Sequence, residues 1–217
     1  IEEMRTVSVL FLCVRGLRLG IPQTGIWPSG LSDSSNSDND DVMKRSNNLG
    51  HLGVDFAQDV MTSAQAAIYA QEGSFNKFLV DDKGVVILAV FGLAPLLHVD
   101  DGLRACLTGS RLIDKLKEQG FSGKVGIATG RVWCGVVGNN DRQEYTVLGD
   151  TVNLAARLMG VQMKDSWQGT SSVVVCPTTQ WLVSKYLRLT PMPPIYLKGI
   201  ANKIIVYDSP GISIWRS

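Results

Sequence analysis

The stretch that decides the fold is EYTVLGDTVNLAARLMG, Glu144–Gly160. Its opening, EYTVL, is rich in β-branched and aromatic residues and predicts a strand. Gly149 interrupts it, and GDTVNLAARLM then predicts a helix capped at Asp150 or Thr151. Within this mostly apolar helix Asn153 and Arg157 stand four residues apart, so they project from one face. On the residues alone two readings stay open. Asn near a helix start often caps and Arg often solvates a surface; alternatively, the pair holds something.

Working outward, KVGIATGRVWCGVVG (Lys124–Gly138) predicts a strand, a Gly-containing bend and a second strand. Further upstream, FNKFLV and GVVILAVFG flank the tight-turn chemistry of DDKG and predict a hairpin. Asp100 and Asp101 are expected to cap a helix running to about Gln119. Val54–Ala70 repeats apolar residues at helical steps (Phe56, Val60, Ala64, Ala67, Ile68), and Gly73 is expected to end that helix. TVSVLFLCV (Thr6–Val14) predicts a buried strand. Downstream, SVVVC predicts a strand, PTTQWLVSKY a helix with Pro at its entrance, and PIYLKG and NKIIVYD two closing strands. These elements predict an α+β fold, helices packed on a mostly antiparallel sheet. Neither a GxxxxGK[ST] phosphate loop nor a GxGxxG fingerprint occurs.

The chain of 217 residues reads as a single domain, 1–217. Trp27–Asn48 is rich in Ser, Asn, Asp and Gly, so a disordered or inserted loop is expected at 27–48. Because the sequence begins with Ile, it reads as a piece of a longer protein. Hydrophobic residues make up 45% and charged residues 19%, as in a soluble protein with a sizeable core. A net charge of +1 gives no bulk field for nucleic acid or an anionic membrane. No apolar run is long enough to span a bilayer, since Val85–Leu97 is broken by Gly and Pro. Cys13, Cys106, Cys134 and Cys176 are scattered without metal-ligand spacing, which suggests reduced thiols in a cytosolic setting. His51 and His98 are lone histidines with no partner spacing.

YTVLGDTVNLAARL resembles the signature of class III nucleotidyl cyclases, and ATGRVWCGVVG resembles the glycine-containing segment that precedes it in that family. NKFLVDDKGVVILAVFG is similar to one branch, the bicarbonate-responsive soluble adenylyl cyclases, and to the second of their two catalytic halves. The resemblance runs from about Gln71 to Gly160 and returns around YLKGIANKIIVYD. It implies a ferredoxin-like class III cyclase domain that converts a nucleoside triphosphate to its cyclic monophosphate and pyrophosphate. It also implies pairing of two halves, one holding two Mg²⁺ (or Mn²⁺) ions on aspartates. The other recognises the base and stabilises the transition state.

Residue by residue, the resemblance implies catalytic roles for Asn153, orienting the ribose, and Arg157, offering bidentate donors to the α-phosphate. Lys77 would donate to adenine N1, Thr146 would accept from the N6 amine, and the Val147 backbone would meet the base edge. Lys198 in LKG would reach the β- and γ-phosphates. Guanylyl enzymes carry Glu and Cys in place of this Lys and Thr, so ATP is the expected substrate. The metal-binding halves read F-x-D-x-x-G at the end of the first strand. Here FLCVRGL places Cys13 where the aspartate belongs, and a thiol is a poor ligand for magnesium. Asp81 could correspond to the second aspartate, but it reads better as a turn residue of the hairpin. The expected role is therefore the half without metal ligands, completed by a complementary cyclase half in the same polypeptide or in trans. The alternative is a catalytically silent cyclase-like domain used for dimerisation or regulation. The branch is also associated with bicarbonate and calcium responses and with cilia and flagella, within a cytoplasmic setting.

Overall fold

A computed structural model describes residues 2–15, 55, 57–81, 84–161, 172–200 and 202–209. The expected 27–48 loop, His51, Phe56 and the Gly16–Leu17 end of the first-strand motif lie outside the described residues. Strand β1 (Glu3–Arg15) is followed by helix α1 (57–69), the β2 (Ser74–Asp81) and β3 (Gly84–Phe91) hairpin, and α2 (Asp101–Glu118). Then come β4 (Ser122–Gly138), β5 (Gln143–Leu148), α3 (Asp150–Met159), β6 (Ser172–Val175), α4 (Pro177–Val183), β7 (Thr190–Pro191) and β8 (Tyr207–Asp208).

The strands form one sheet in the order β2-β3-β1-β4-β6-β8-β7, with β5 paired to the far half of β4. Every pairing is antiparallel except β4 with β6. The mostly antiparallel α+β architecture is therefore as expected. Strand alternation divides the core in two. Leu10, Leu12 and Val14 of β1 join Ile87, Phe91, Val60, Ile68, Leu112 and Leu116 in one cluster under α1 and α2. Val7 and Val9 face the other way, with Leu88, Val90, Ala128, Ala155 and Leu158 under α3.

Several local expectations need correction. Lys124–Gly138 is one continuous strand, not two about a bend, because β1 pairs with it without a break as far as Cys134 and Val7 sits opposite Gly130. Gly130 serves close packing instead: a β-carbon there would lie 2.5 Å from Thr151 Oγ1. The first helical residue of α3 is Asp150 and the N-cap is Gly149, with no side-chain cap bond, so neither Asp150 nor Thr151 caps. Thr151 Oγ1 instead donates to the Arg131 carbonyl at 3.1 Å, fastening the helix start to β4.

Asp100 does occupy the N-cap of α2, but its carboxylate accepts from Arg104 Nε at 2.9 Å, a charge-assisted bond one turn on. Asp101 accepts from the His98 backbone N–H at 3.2 Å. His98 is not lone either, since its Nε2 lies 2.9 Å from Glu72 Oε2. At the end of α1 the left-handed residue is Glu72 (φ 54°), while Gly73 lets the Phe91 ring approach, 2.5 Å from where a β-carbon would stand. Among the described residues PIYLKG and NKIIVYD meet through the Ile195–Ile204 bridge and through Lys203 Nζ, 5.1 Å from the centre of the Tyr196 ring, with β8 formed at Tyr207–Asp208.

Candidate active site

The geometry of α3 is set by the glycines beneath it. A β-carbon at Gly126 of β4 would lie 2.2 Å from both the Ala155 carbonyl oxygen and the Met159 nitrogen. Only a residue without a side chain lets the helix backbone settle this close to the strand. Ala155 and Leu158 are fully buried against the sheet. At about 100° per residue, Asn153 and Arg157 fall on the opposite flank from Thr151, Ala155 and Leu158. Accordingly Asn153 is exposed and Arg157 half-buried. Both point away from the sheet of their own chain.

What half-buries Arg157 is the turn between Ile195 and Ile204. The Ile200 N–H donates to the Leu197 carbonyl at 3.0 Å, and buried Leu197 anchors the turn in the α3-side core. Gly199 takes φ 75°, and a β-carbon on it would lie 3.2 Å from Arg157 Nη2 and 3.6 Å from Cζ. The guanidinium thus lies against the turn that carries exposed Lys198. Arg157 and Lys198, far apart in sequence, are brought to one place.

A second group forms where β2 meets β5. The ladder between β2 and β3 slips between Phe75 and Lys77, leaving Asn76 as a bulge. The slip lets Phe75 and Phe78, at odd spacing, both pack on the α1/α2 core, while Lys77 pairs with Leu88 and takes the α3 side. There Lys77 Nζ meets Glu144 Oε1 of β5 at 3.2 Å. Thr146, two residues along from Glu144 and thus on the same side of β5, is buried. Val147 packs its side chain into the core and pairs in register with Cys134 of β4. No described contact joins the side chains of Lys77 or Thr146 to those of Asn153 or Arg157; Leu148–Gly149 links the strand of Thr146 to the helix of Asn153 and Arg157.

Glu144 and Gly199 carried no role in the sequence reading. Alternation from Thr146 was the available signal for Glu144; nothing local marks Gly199.

No group of three or more His, Cys, Asp or Glu side chains that could hold a metal ion occurs among the described residues. Cys13 is buried in β1 and paired in register with Val86 on one side and Lys124 on the other. A thiol in a strand interior, beside a lysine position, does not fit the hard-oxygen coordination of magnesium. Asp81 is the last residue of β2 and pairs in register with Gly84, the first residue of β3, consistent with a hairpin residue. All four cysteines are buried and none forms a disulfide. Burial pushes the Cys106 thiol up to about 12, so it is inert as a nucleophile. No helix among the described residues is long and apolar enough to cross a membrane.

Residues 47–208 match the family described as the adenylate and guanylate cyclase catalytic domain. The chain belongs to this class III cyclase family. Its relatives include adenylate cyclase type 10 of Oryctolagus cuniculus, 28% identical over 150 residues, or 68% of this chain and 8% of that protein. The Mus musculus protein of the same name is 37% identical over 147 residues, 65% of this chain and 8% of its own length. The match thus spans under a tenth of these relatives.

Two solved structures share the fold. The adenylyl cyclase CyaB from P. aeruginosa superposes with a TM-score of 0.71 at 19% identity, covering 100% of this chain and 97% of that one. The guanylyl cyclase Cya2 gives 0.70 at 22% identity, covering 97% of this chain and 94% of that one.

Proposed function

We propose that residues 1–217 form one catalytic domain, the half of an adenylyl cyclase that recognises adenine and stabilises the transition state. A complementary half completes the site and holds the divalent ions. The observation that carries this reading is the seating of α3. Its glycine-backed face is committed to the sheet, so Asn153 and Arg157 project outward, with the guanidinium against the Lys198–Gly199 turn. Such a pair can act on a nucleotide lying over α3.

In the proposed reaction the ribose 3′-hydroxyl gives up its proton to solvent as its oxygen attacks the α-phosphorus in line, and the bond from that phosphorus to the oxygen bridging the α- and β-phosphates breaks. Cyclic AMP forms and pyrophosphate leaves with the electron pair. Asn153 hydrogen-bonds the ribose and fixes the attack angle. Arg157 places two parallel N–H donors on the α-phosphate oxygens as charge builds there. Lys198 offsets charge on the β- and γ-phosphates. Lys77 and Thr146 supply a donor and an acceptor in the order adenine presents, the reverse of guanine. A partner surface is also on hand: Val136, Val137, Tyr145 and Leu148 of the β4–β5 arm are exposed, as are Leu79 and Val80 of β2.

The test is to combine this chain with a half bearing both metal aspartates and to assay cyclic AMP from Mg·ATP or Mn·ATP. Arg157→Ala is expected to lower turnover roughly 10²–10³-fold, with a much smaller change in KM. Unchanged turnover in that variant would remove Arg157 from the mechanism.

Cys13 favours a second reading, a silent cyclase-like module for dimerisation or regulation. Absence of cyclic AMP in every such pairing, with complex formation intact, would select it.

A further inference from the structure

We infer that Glu144 is a positioning residue for base selection, acting through Lys77. This deepens the adenine-site reading above and rests on it. The ion pair between Lys77 Nζ and Glu144 Oε1 measures 3.2 Å and joins β2 to β5. It is the only ion pair between these two strands among the described residues. Both ends are backed by rigid structure. Lys77 follows the β2 bulge, and Glu144 sits opposite Val137 in the β4–β5 ladder, two residues before buried Thr146.

The chemistry of the pair explains what it can do. An ammonium has three N–H donors on a flexible four-carbon stem. Left alone, the Lys77 side chain would sample many rotamers and lose that freedom on meeting a base. Glu144 takes one N–H and restricts the stem before the nucleotide arrives, leaving two donors for an acceptor nitrogen. The carboxylate is likewise engaged by the lysine. It is therefore not free to accept from the N1–H and N2 amine of guanine, which a loose glutamate at this place could do. One contact thus presents a donor to adenine and withholds an acceptor from guanine.

The lysine is 35% exposed and the glutamate 50%, so the pair contributes little to folding and its removal leaves a folded protein. The experiment uses this chain assembled with a metal-bearing half. Steady-state kinetics are measured with ATP and with GTP for the parent, Glu144→Gln, Lys77→Met and the double variant. Glu144→Gln is expected to raise the KM for ATP about 3- to 10-fold, with kcat within about twofold of the parent. In the Lys77→Met background the same substitution is expected to change KM for ATP less than about 1.5-fold, since its route through Lys77 is gone.

An unchanged KM for ATP in Glu144→Gln overturns the inference. So does an equal effect with and without Lys77, which would make Glu144 an independent contact. A parent assembly that makes no cyclic AMP fails the adenylyl cyclase reading instead, before any variant is compared.

Discussion

Gly199 is the position where one methyl group tests both the fold and the chemistry. Its φ of 75° lies in the left-handed region, where a residue other than glycine costs roughly 1–2 kcal/mol. In a domain of this size, 1 kcal/mol corresponds to a Tm shift of about 2–4 °C. Gly199→Ala is therefore expected to lower Tm by roughly 2–8 °C. The same methyl would stand 3.2 Å from Arg157 Nη2, so the guanidinium must retreat by a few tenths of an ångström. A misplacement of about 1 Å costs on the order of 10² in rate, which bounds the effect from above. Turnover of the assembled pair should fall several-fold, within that ceiling.

Gly199→Asn separates the two causes. Asn tolerates left-handed backbone far better than Ala, so most of the Tm should return, while its β-carbon still crowds Arg157. Thermal melts followed by circular dichroism, together with cyclic AMP production, read both effects. Refutation is direct: Gly199→Ala that melts with the parent contradicts the backbone argument. Gly199→Asn that restores full turnover contradicts the contact with Arg157.

Three further outcomes are expected. Asp208 is buried in β8 with Oδ1 unpartnered, and desolvation raises its pKa above the ordinary 3.8, partly opposed by the Ser209 backbone bond. A raised carboxyl pKa means the fold favours the protonated form, so stability is lost as pH rises through that pKa. Asp208→Asn should therefore stabilise by about 1–3 kcal/mol at pH 7, and its Tm advantage should shrink towards pH 4. Gly126→Ala forces a β-carbon to 2.2 Å from the Ala155 carbonyl and should cost at least about 1–3 kcal/mol, read as a lower denaturation midpoint in urea. Lys77→Glu combined with Thr146→Cys should shift the kcat/KM ratio from ATP towards GTP; a ratio that stays put removes these two residues from base choice.

Much of the fold could be read from periodicity because its elements are amphipathic and its turns carry Gly or Asp. Val60, Ala64 and Ile68 are buried along α1, as their spacing required. Glycine was harder, because it serves turns and close contacts alike. Gly130 reads as a bend in isolation, yet it admits Thr151 against an unbroken strand. The bulge at Asn76 was also hidden: Phe75 and Phe78, three apart, break strand alternation until the register slip reconciles them. Asp100 and Asp150 show a third limit, since capping chemistry in a sequence does not say which donor wins. An arginine one turn away took the Asp100 carboxylate.

The candidate site was legible only in its local parts. Asn153 and Arg157 share a helix face by spacing alone. That this face points away from the sheet follows from Gly126 and Gly130, which lie on a different element. Tertiary structure was needed to bring Gly199 to the Arg157 guanidinium and Glu144 to the Lys77 ammonium.

These two placements also bear on the choice between a catalytic half and a silent module. A module kept for association alone needs the exposed apolar arm and nothing more. It has no physical use for a guanidinium cradled by a left-handed glycine, or for a lysine drawn across to a neighbouring strand. Each is a polar group restrained before any ligand is present, and restraint of that kind lowers the cost of binding or reaction rather than of folding. The arm supports pairing, and the restrained cations support a nucleotide within the pair. Cys13 is compatible with both, provided the hard-oxygen ligands come from the other half.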